Sequence, residues 1–241
     1  MGRAFEYRRA AKEKRWDKMS KLFPKLSKAI TAAAKDGGTD PEMNFKLRAA
    51  IQNAKAENMP KDNIDSAIKR ANDKELKDFT EQTFEGKGPH GVLVIVETAT
   101  DNNNRTVANI RSYFNKFDGT LSTSGSVEFM FDRICCFRIK TISNLDDLEF
   151  DLIDYGLDEL IKHEIDNQYL LYSGFDKFGS IQRELEKRQV EIISTEFERI
   201  PKQYKFLKED EARIVEDLLE KIDEDDDVQN IFHNMQSFKN S

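Results

Sequence analysis

The residues with the clearest potential for chemistry lie in two polar segments on either side of a short apolar run. The first has the spacing Gly86-x-Gly88-x-x-Gly91, and the second, residues 101–106, has the sequence DNNNRT. A Gly-x-Gly-x-x-Gly segment binds dinucleotides when a strand precedes it and a helix follows, because the helix N-terminus then receives the pyrophosphate. Here the apolar run 92–96 follows the glycines. The pattern therefore predicts a tight turn that enters a strand.

Other residue patterns do not predict an enzyme. The sequence shows neither a recognisable Ser-His-Asp triad nor a nucleophilic cysteine paired with a histidine. Cys135 and Cys136 are neighbours in a predicted strand, where their side chains point to opposite faces, so neither a disulfide nor a metal site is expected. Glu85, Asp101 and Arg105 could converge, but ordinary loop hydrogen bonding predicts the same arrangement. We expect no catalysis, no cofactor and no metal.

The charge distribution indicates a polyanionic partner for the start of the chain. Residues 1–37 contain 11 Lys or Arg and 4 Asp or Glu, a net charge of +7, whereas the whole chain carries −7 and residues 38–241 therefore −14. A lysine stripe at helical spacing is suited to phosphate binding, although a solvated helix face is the open alternative. The candidate nucleic-acid-binding residues are Arg8, Arg9, Lys14, Arg15, Lys18, Lys21, Lys25, Lys28, Lys46, Arg48, Lys69 and Arg70. Charge reversal of Lys18, Lys21, Lys25 and Lys28 is expected to abolish binding without altering thermal unfolding.

The two polar loops form a second candidate surface, suited to RNA or to a peptide. Arg105 can place its guanidinium fork on a phosphate. For Asn104 and Thr106, helix capping and turn formation are at least as well supported by residue type. The candidate loop contacts are Glu85, Gly86, Lys87, Gly88, Pro89, Asp101, Asn102, Asn104, Arg105, Thr106, Ser124 and Ser126.

Three helices are predicted before these loops. A basic helical stretch covers residues 5–35, in which Pro24 predicts a helix restart. Asp40-Pro41 predicts the start of a second helix, and Met59-Pro60 the start of a third. This gives a basic arm and three-helix domain over residues 1–79.

Two α/β units are predicted after the helical domain. The first has a strand at 92–96, a helix from 107 to 117 and a strand at 127–131. The second, over residues 133–200, has the order strand, helix, hairpin (turned at 166–167), helix, strand, which is the ferredoxin-like plan. An acidic helix at 209–222 and a strand at 228–233 follow. We expect this tail to fold back, giving a discontinuous domain of residues 80–132 plus 201–241.

Features of membrane, secreted and calcium-binding proteins are weak in this sequence. The apolar runs fall short of the roughly 20 residues that a membrane helix needs, and a secretory signal is not evident. These observations predict that the protein has no membrane partner, and the lack of an expected disulfide predicts a reducing, cytoplasmic location. The acidic run 223–227 lacks EF-hand spacing, so a solvated turn is favoured over a cation site.

Motifs along nearly the whole chain resemble the YebC/PmpR family, which includes the mitochondrial translational activator of cytochrome oxidase subunit I. In the first half these are Asp40-Pro-x-x-Asn-x-x-Leu-Arg-Ala-Ala-Ile51, Asn58-Met-Pro60, Ile68-Lys-Arg70 and Phe84-Glu-Gly-x-Gly-Pro-x-Gly91. The later ones are Asp101-Asn-x-Asn-Arg-Thr106, Gly125-Ser-Val127 and Asp226-Asp-Val-Gln229 with Asn234.

The resemblance implies an α+β fold of three domains: an N-terminal helical domain and two ferredoxin-like α/β domains, one inserted into the other. It also implies a regulator of gene expression. We expect a non-enzymatic, nucleic-acid-binding protein that acts in translation through contact with ribosomal RNA. The alternative is a DNA-binding transcriptional regulator, the customary description of the family. No small-molecule substrate is evident.

Overall fold

A computed structural model of the protein describes residues 19–73, 79–163 and 167–237. The helical elements at the start are α1 (Met19–Gly37), α2 (Phe45–Ala56) and α3 (Lys61–Arg70). They are followed by β1 (Thr80–Lys87), β2 (Leu93–Thr100), α4 (Asn103–Lys116) and β3 (Thr120–Leu121). The next elements are β4 (Phe131–Lys140), α5 (Leu145–Ile153), β5 (Leu157–His163), β6 (Gln168–Gly174), α6 (Phe178–Lys187) and β7 (Ile192–Pro201). The chain continues with β8 (Lys205–Leu207), α7 (Glu209–Asp223), β9 (Val228–His233) and β10 (Met235–Ser237).

The predicted fold class is confirmed: a helical domain precedes two α/β domains, each built on a four-stranded antiparallel sheet. In the helical domain, Ile30, Leu47 and Ile64 form a shared core between the three helices. The predicted start of α2 at Asp40-Pro41 is wrong by a few residues. Residues 41–43 form a turn, because the Asn44 side chain accepts a hydrogen bond from the Leu47 N–H and so caps the helix there.

The predicted restart at Pro24 is also wrong, since α1 continues through this residue. A proline inside a helix removes one N–H donor and costs about 3 kcal/mol in an isolated helix. Phe23 and Leu26, on either side of Pro24, are partly buried against the core of the helical domain. This packing offsets the loss and keeps α1 continuous.

The discontinuous domain has the strand order β3-β1-β2-β9, with α4 and α7 packed on one face. Strand β9 pairs with β2, so the tail returns to the central unit as predicted. The strand predicted at 127–131 is wrong: Glu128–Met130 is a short 3-10 turn, and Phe131 begins β4. The backbone N–H groups of Val127 and Glu128 bind the Glu85 carboxylate and are therefore lost to a strand ladder.

The inserted domain confirms the predicted ferredoxin-like plan. Its strands lie in the order β5-β6-β4-β7, and α5 and α6 cover one face of the sheet. The predicted hairpin turn includes residue 166, which lies outside the described residues, whereas Asn167 has a positive φ of 48°. The exact domain boundaries proposed from the sequence remain a prediction.

Ion pairs and hydrogen bonds connect the three domains. From β7, the buried Arg199 side chain donates to Glu97 on β2 (2.9 Å) and to Glu128 (2.7 Å). From α2, the Asn53 side chain exchanges two hydrogen bonds with the backbone of Thr195 on β7. Both contacts fix the inserted domain against its neighbours.

Candidate nucleic-acid interface

The predicted basic helix and the predicted polar loop meet at one carboxylate, that of Asp227. Its Oδ1 accepts a hydrogen bond from Lys28 Nζ on α1 (3.0 Å), and its Oδ2 accepts one from Arg105 Nη2 on α4 (2.7 Å). The hydroxyls of Thr100 and Thr106 also donate to Oδ2, at 2.9 and 2.8 Å. Asp227 is only 3% exposed. We call these five residues the Asp227 cluster.

Local structure places each member of the Asp227 cluster. Thr100 ends β2, and Asn102 caps α4 by accepting a hydrogen bond from the Arg105 N–H (3.2 Å). This cap starts α4 so that Thr106 and Arg105 lie in its first turn. On the other side, the Ala99 N–H donates to the carbonyl of Asp227 (2.8 Å).

The acidic run 223–227 forms the predicted turn between α7 and β9, and Glu224 and Asp226 are exposed there, but its other three carboxylates are bound by side chains. Asp223 accepts a hydrogen bond from Lys25 Nζ (2.8 Å), and Asp225 accepts hydrogen bonds from Asn109 and Tyr113. These contacts join the end of α7 to α1 and α4. Within the described residues, no group of three or more His, Cys, Asp or Glu side chains is arranged to hold a metal ion.

The lysine stripe differs from the open basic face expected from the sequence. The side chains of Lys25 and Lys28 are only 17% and 16% exposed, and both are paired with carboxylates of the acidic run. Reversing their charge would place acids against Asp223 and Asp227. The expectation that this change leaves thermal unfolding unaltered is therefore withdrawn.

Other candidate cations have mixed surroundings. Lys46 is paired with Asp36 (2.6 Å), and Arg48 with Glu186 of the inserted domain (2.8 Å). Lys69 and Arg70 are exposed at the end of α3, where Arg70 also donates to the Ser27 hydroxyl (3.0 Å). Arg8, Arg9, Lys14, Arg15 and Lys18 lie outside the described residues, as does the side chain of Lys21.

The glycines of the first polar loop allow neighbouring side chains to pack closely against the backbone. A Cβ atom on Gly86 would come within 2.5 Å of the Phe114 ring, and one on Gly88 within 3.1 Å of Leu218. Pro89 is also buried, and Lys87 is exposed. This loop joins β1 to β2, so the dinucleotide-binding arrangement of strand, glycines and helix does not occur here.

Glu85 also has a structural role. It is 2% exposed, and its carboxylate accepts hydrogen bonds from the N–H groups of Gly125, Val127 and Glu128. Burial would raise the pKa of Glu85, but these hydrogen bonds outweigh it and lower the pKa below its usual value. Ser124 and Ser126 are exposed on the loop that Glu85 holds.

The two polar loops therefore do not form one compact site. They lie at opposite ends of β2, about 23 Å apart for eight residues in a strand. Glu85 does not converge with Asp101 and Arg105, although Arg105 does donate to Asp101 (3.0 Å). At the second loop, Asp101, Asn102, Asn104 and Arg105 are exposed, whereas Thr106 is buried.

Sequence reasoning missed Asp227 as the residue that joins the two candidate surfaces. Residues 223–227 are all acidic, so charge alone did not distinguish Asp227 from its neighbours. The available signal was its position in Asp226-Asp-Val-Gln229, one of the motifs that carried the family resemblance.

The pKa of Asp227 gives a testable acid sensitivity. Burial would raise this pKa, but hydrogen bonds from Arg105, Lys28, Thr106 and Thr100 outweigh burial and lower it to about 2. An unfolded aspartate titrates near pH 4. The stabilisation by Asp227 is therefore fully present above about pH 4 and is lost as the pH falls towards about 2.

We expect the difference in free energy of unfolding between the wild type and Asp227→Asn to shrink over this acid range. Urea unfolding followed by circular dichroism from about pH 7 to about pH 2.5 measures it. Other titrating groups affect both proteins equally. A difference that stays constant down to about pH 2.5 would contradict the assignment.

The chain has clear relatives among known proteins. Residues 3–74 match the family model described as the TACO1/YebC protein N-terminal domain, and residues 79–235 match the TACO1/YebC second and third domain. A protein of Flavobacterium psychrophilum named "probable transcriptional regulatory protein" is 54% identical over 98% of this chain and 100% of its own length. A protein of Helicobacter hepaticus with the same description is 53% identical over 98% of this chain and 100% of its own length.

A solved structure also shares the fold. The crystal structure of a conserved hypothetical protein from Aquifex aeolicus superposes with a TM-score of 0.74 at 34% identity, and the match covers 91% of each chain. Among the described residues, no helix is both long and apolar enough to cross a membrane. The matched domains, the level of identity and the shared architecture confirm the resemblance seen in the sequence: the chain belongs to the TACO1/YebC family.

Proposed function

We propose that this protein is a non-enzymatic, nucleic-acid-binding regulator of gene expression that acts in the cytoplasm, in translation, through contact with ribosomal RNA. The observation that carries the proposal is the convergence of α1 and the 101–106 loop on Asp227. The basic helix and the polar loop, which the sequence predicts as two separate candidate surfaces, thus lie side by side.

The basic arm joins this surface through α1. Lys28 follows Met19 by nine residues, which corresponds to about 14 Å along a helix axis. Residues 1–18 contain seven Lys or Arg and three Asp or Glu, so the chain segment entering α1 carries a net charge of +4. This charge is joined in sequence to the helix whose Lys28 meets Arg105 at Asp227.

The chemistry of this surface suits folded RNA. Arginine and lysine neutralise phosphates, and asparagine amides can hydrogen-bond to the edges of unpaired bases. Arg105 makes its contacts with Asp101 and Asp227 through Nη2, so its Nη1 and Nε groups can donate to a phosphate. The net charge of −14 on residues 38–241 opposes contact with a long uniform duplex and favours a local contact.

A DNA-binding transcriptional regulator is the second candidate. The names of the relatives in Flavobacterium psychrophilum and Helicobacter hepaticus favour it. Against it, α1 contacts the acidic run and α2 contacts β7, so the surfaces of these two helices that make these contacts are not available to a major groove.

Crosslinking in cells, followed by sequencing of the attached nucleic acid, distinguishes the two candidates. We expect fragments of ribosomal RNA concentrated at a few positions. Discrete genomic DNA sites would instead support transcriptional regulation. Absence of both signals above an uncrosslinked control would contradict nucleic-acid binding altogether.

Binding in vitro is expected to depend on the arm. Neutralising Arg8, Arg9, Lys14 and Arg15 to Gln should weaken binding of a structured rRNA fragment by about tenfold or more at low salt. It should also reduce the slope of log K against log salt by about 3, at about 0.7 per phosphate contact. Fluorescence anisotropy over a salt series measures both quantities.

The matched control changes four cations of the inserted domain to Gln, namely Lys140, Lys162, Lys177 and Lys187. The control alters net charge by the same amount and is expected to keep the wild-type salt slope. Equal losses in the two variants would show a general charge effect instead of an interface at the arm.

A further inference from the structure

The outer face of α5 carries large apolar side chains that the core does not use. Leu148 and Leu152 are buried beneath the helix, so α5 already packs its inner face against the sheet. On the outer side, Phe150 is 75% exposed and Ile153 is 57% exposed. Residues three apart on a helix are neighbours, so these two side chains form one apolar patch. Tyr155, two residues further on, is 38% exposed.

A groove lies beside this patch and extends its apolar surface. It has a volume of about 580 Å³, and its apolar lining includes Ile142, Leu148, Phe150 and Val190. Arg188 also lines the groove but is neutralised by Glu184 (2.7 Å) and Asp151 (2.6 Å). The groove is therefore able to receive an apolar side chain next to Phe150.

The same face is strongly acidic. Residues 145–159 contain seven Asp or Glu and no Lys or Arg. Asp146, Asp147 and Asp154 are exposed around the apolar patch, and none of them forms an ion pair with another described residue. An exposed apolar patch with a rim of one charge indicates a binding surface for a molecule of the opposite charge.

We propose that the α5 face, defined as Phe150, Ile153 and the carboxylates around them, is a docking surface for a basic protein segment with an apolar anchor. Nucleic acid and anionic lipid are repelled by the carboxylates. A second copy of the chain that used the same face would bring Asp146, Asp147 and Asp154 against the same three carboxylates. A cationic polypeptide satisfies both the charge and the apolar patch. This surface is separate from the Asp227 cluster, and the inference does not rest on the proposed function.

Site-specific photocrosslinking in cells tests the proposal on the full chain. The photoreactive residue p-benzoylphenylalanine replaces Phe150 in one strain and Ile214 in another. Ile214 is a matched control, because it is 45% exposed on α7, which is also acidic. We expect an adduct at position 150 whose crosslinked peptide, identified by mass spectrometry, has net positive charge and an aliphatic or aromatic residue. Asp146→Lys with Asp147→Lys should abolish this adduct.

A second measurement uses a synthetic peptide with the crosslinked sequence. Phe150→Ser with Ile153→Ser is expected to weaken its binding to the purified protein by about tenfold or more, with thermal unfolding unchanged, while Ile214→Ser has no effect. The proposal is overturned if the adducts at 150 and 214 are the same or if neither position gives one. It is also overturned if position 150 crosslinks to nucleic acid, to a second copy or to residues 1–18 of the same chain.

Discussion

Replacing Asp227 with Ala is expected to lower the free energy of unfolding by about 3–5 kcal/mol, the range observed when one partner of a buried ion pair is removed. The change leaves the half-buried Lys28 without its main carboxylate partner. It also removes the shared acceptor of Arg105, Thr100 and Thr106. Both threonines are fully buried, so each hydroxyl loses a hydrogen bond in a place that water does not reach.

Urea unfolding at neutral pH measures the loss, with Asp226→Ala as the matched control. Asp226 is exposed, and Lys28 contacts its backbone carbonyl, which the substitution keeps. We expect the control to change stability by about 0.5 kcal/mol or less. A loss below about 1 kcal/mol in Asp227→Ala would show that the cluster contributes little to the fold.

Replacing Glu85 with Ala is expected to destabilise the protein by about 3 kcal/mol or more. Three hydrogen bonds to a carboxylate are lost, and a hydrogen bond to a charged group contributes about 1.5–3 kcal/mol. The N–H of Val127 is the most affected, because Val127 is buried in the apolar cluster with Ile95 and Phe131. Gly125 has a positive φ of 82°, and the carboxylate holds the loop in this bend.

Chemical denaturation together with amide hydrogen exchange tests this second prediction. Exchange at Val127 and Glu128 should accelerate more than exchange in β6 of the inserted domain. Glu81→Ala is the control, because Glu81 lies on the same strand but is exposed. Unchanged protection of Val127 in Glu85→Ala would mean that the loop is held by other contacts.

The inserted domain could be predicted almost completely from the sequence. Its strands are rich in apolar and β-branched residues, and turn residues such as Gly156 and Asn167 separate its elements. Helix α5 was predicted over 145–155 and ends at Ile153, and the strand predicted at 190–200 is β7. Local patterns suffice for the individual elements because their own apolar residues mark the buried face, although β4 pairs with β6 and β7 and not with its neighbour β5.

The failures occurred where contacts distant in sequence override a local rule. Pro24 predicts a helix break, but packing of Phe23 and Leu26 on the helical core keeps α1 continuous. Residues 127–131 alternate like a strand, but a carboxylate from β1 binds their N–H groups. Strand β1 itself was missed, since its polar sequence TEQTFEGK lacks the composition typical of strands.

The candidate site shows the same limit. Residue type and spacing identified Lys28 and Arg105 as potential phosphate ligands. Lys28 was correctly predicted on a helix, whereas Arg105 was predicted in a loop and lies in the first turn of α4. Their common partner could not be predicted, because Asp227 lies 199 residues from Lys28 in the chain. A charge pattern shows which residues carry charge but not which ones face each other in the fold.

The distance between Lys28 and Asp227 along the chain also sets an order of events during synthesis. The ribosome adds about 5–20 residues per second, so Asp227 is made about 10–40 s after Lys28. The core of the helical domain can form early from its own three helices. Its attachment to the discontinuous domain must wait for Asp223 and Asp227, and so must the addition of β9 to β2. Helix α1, although made early, therefore finds its final position among the last steps of folding.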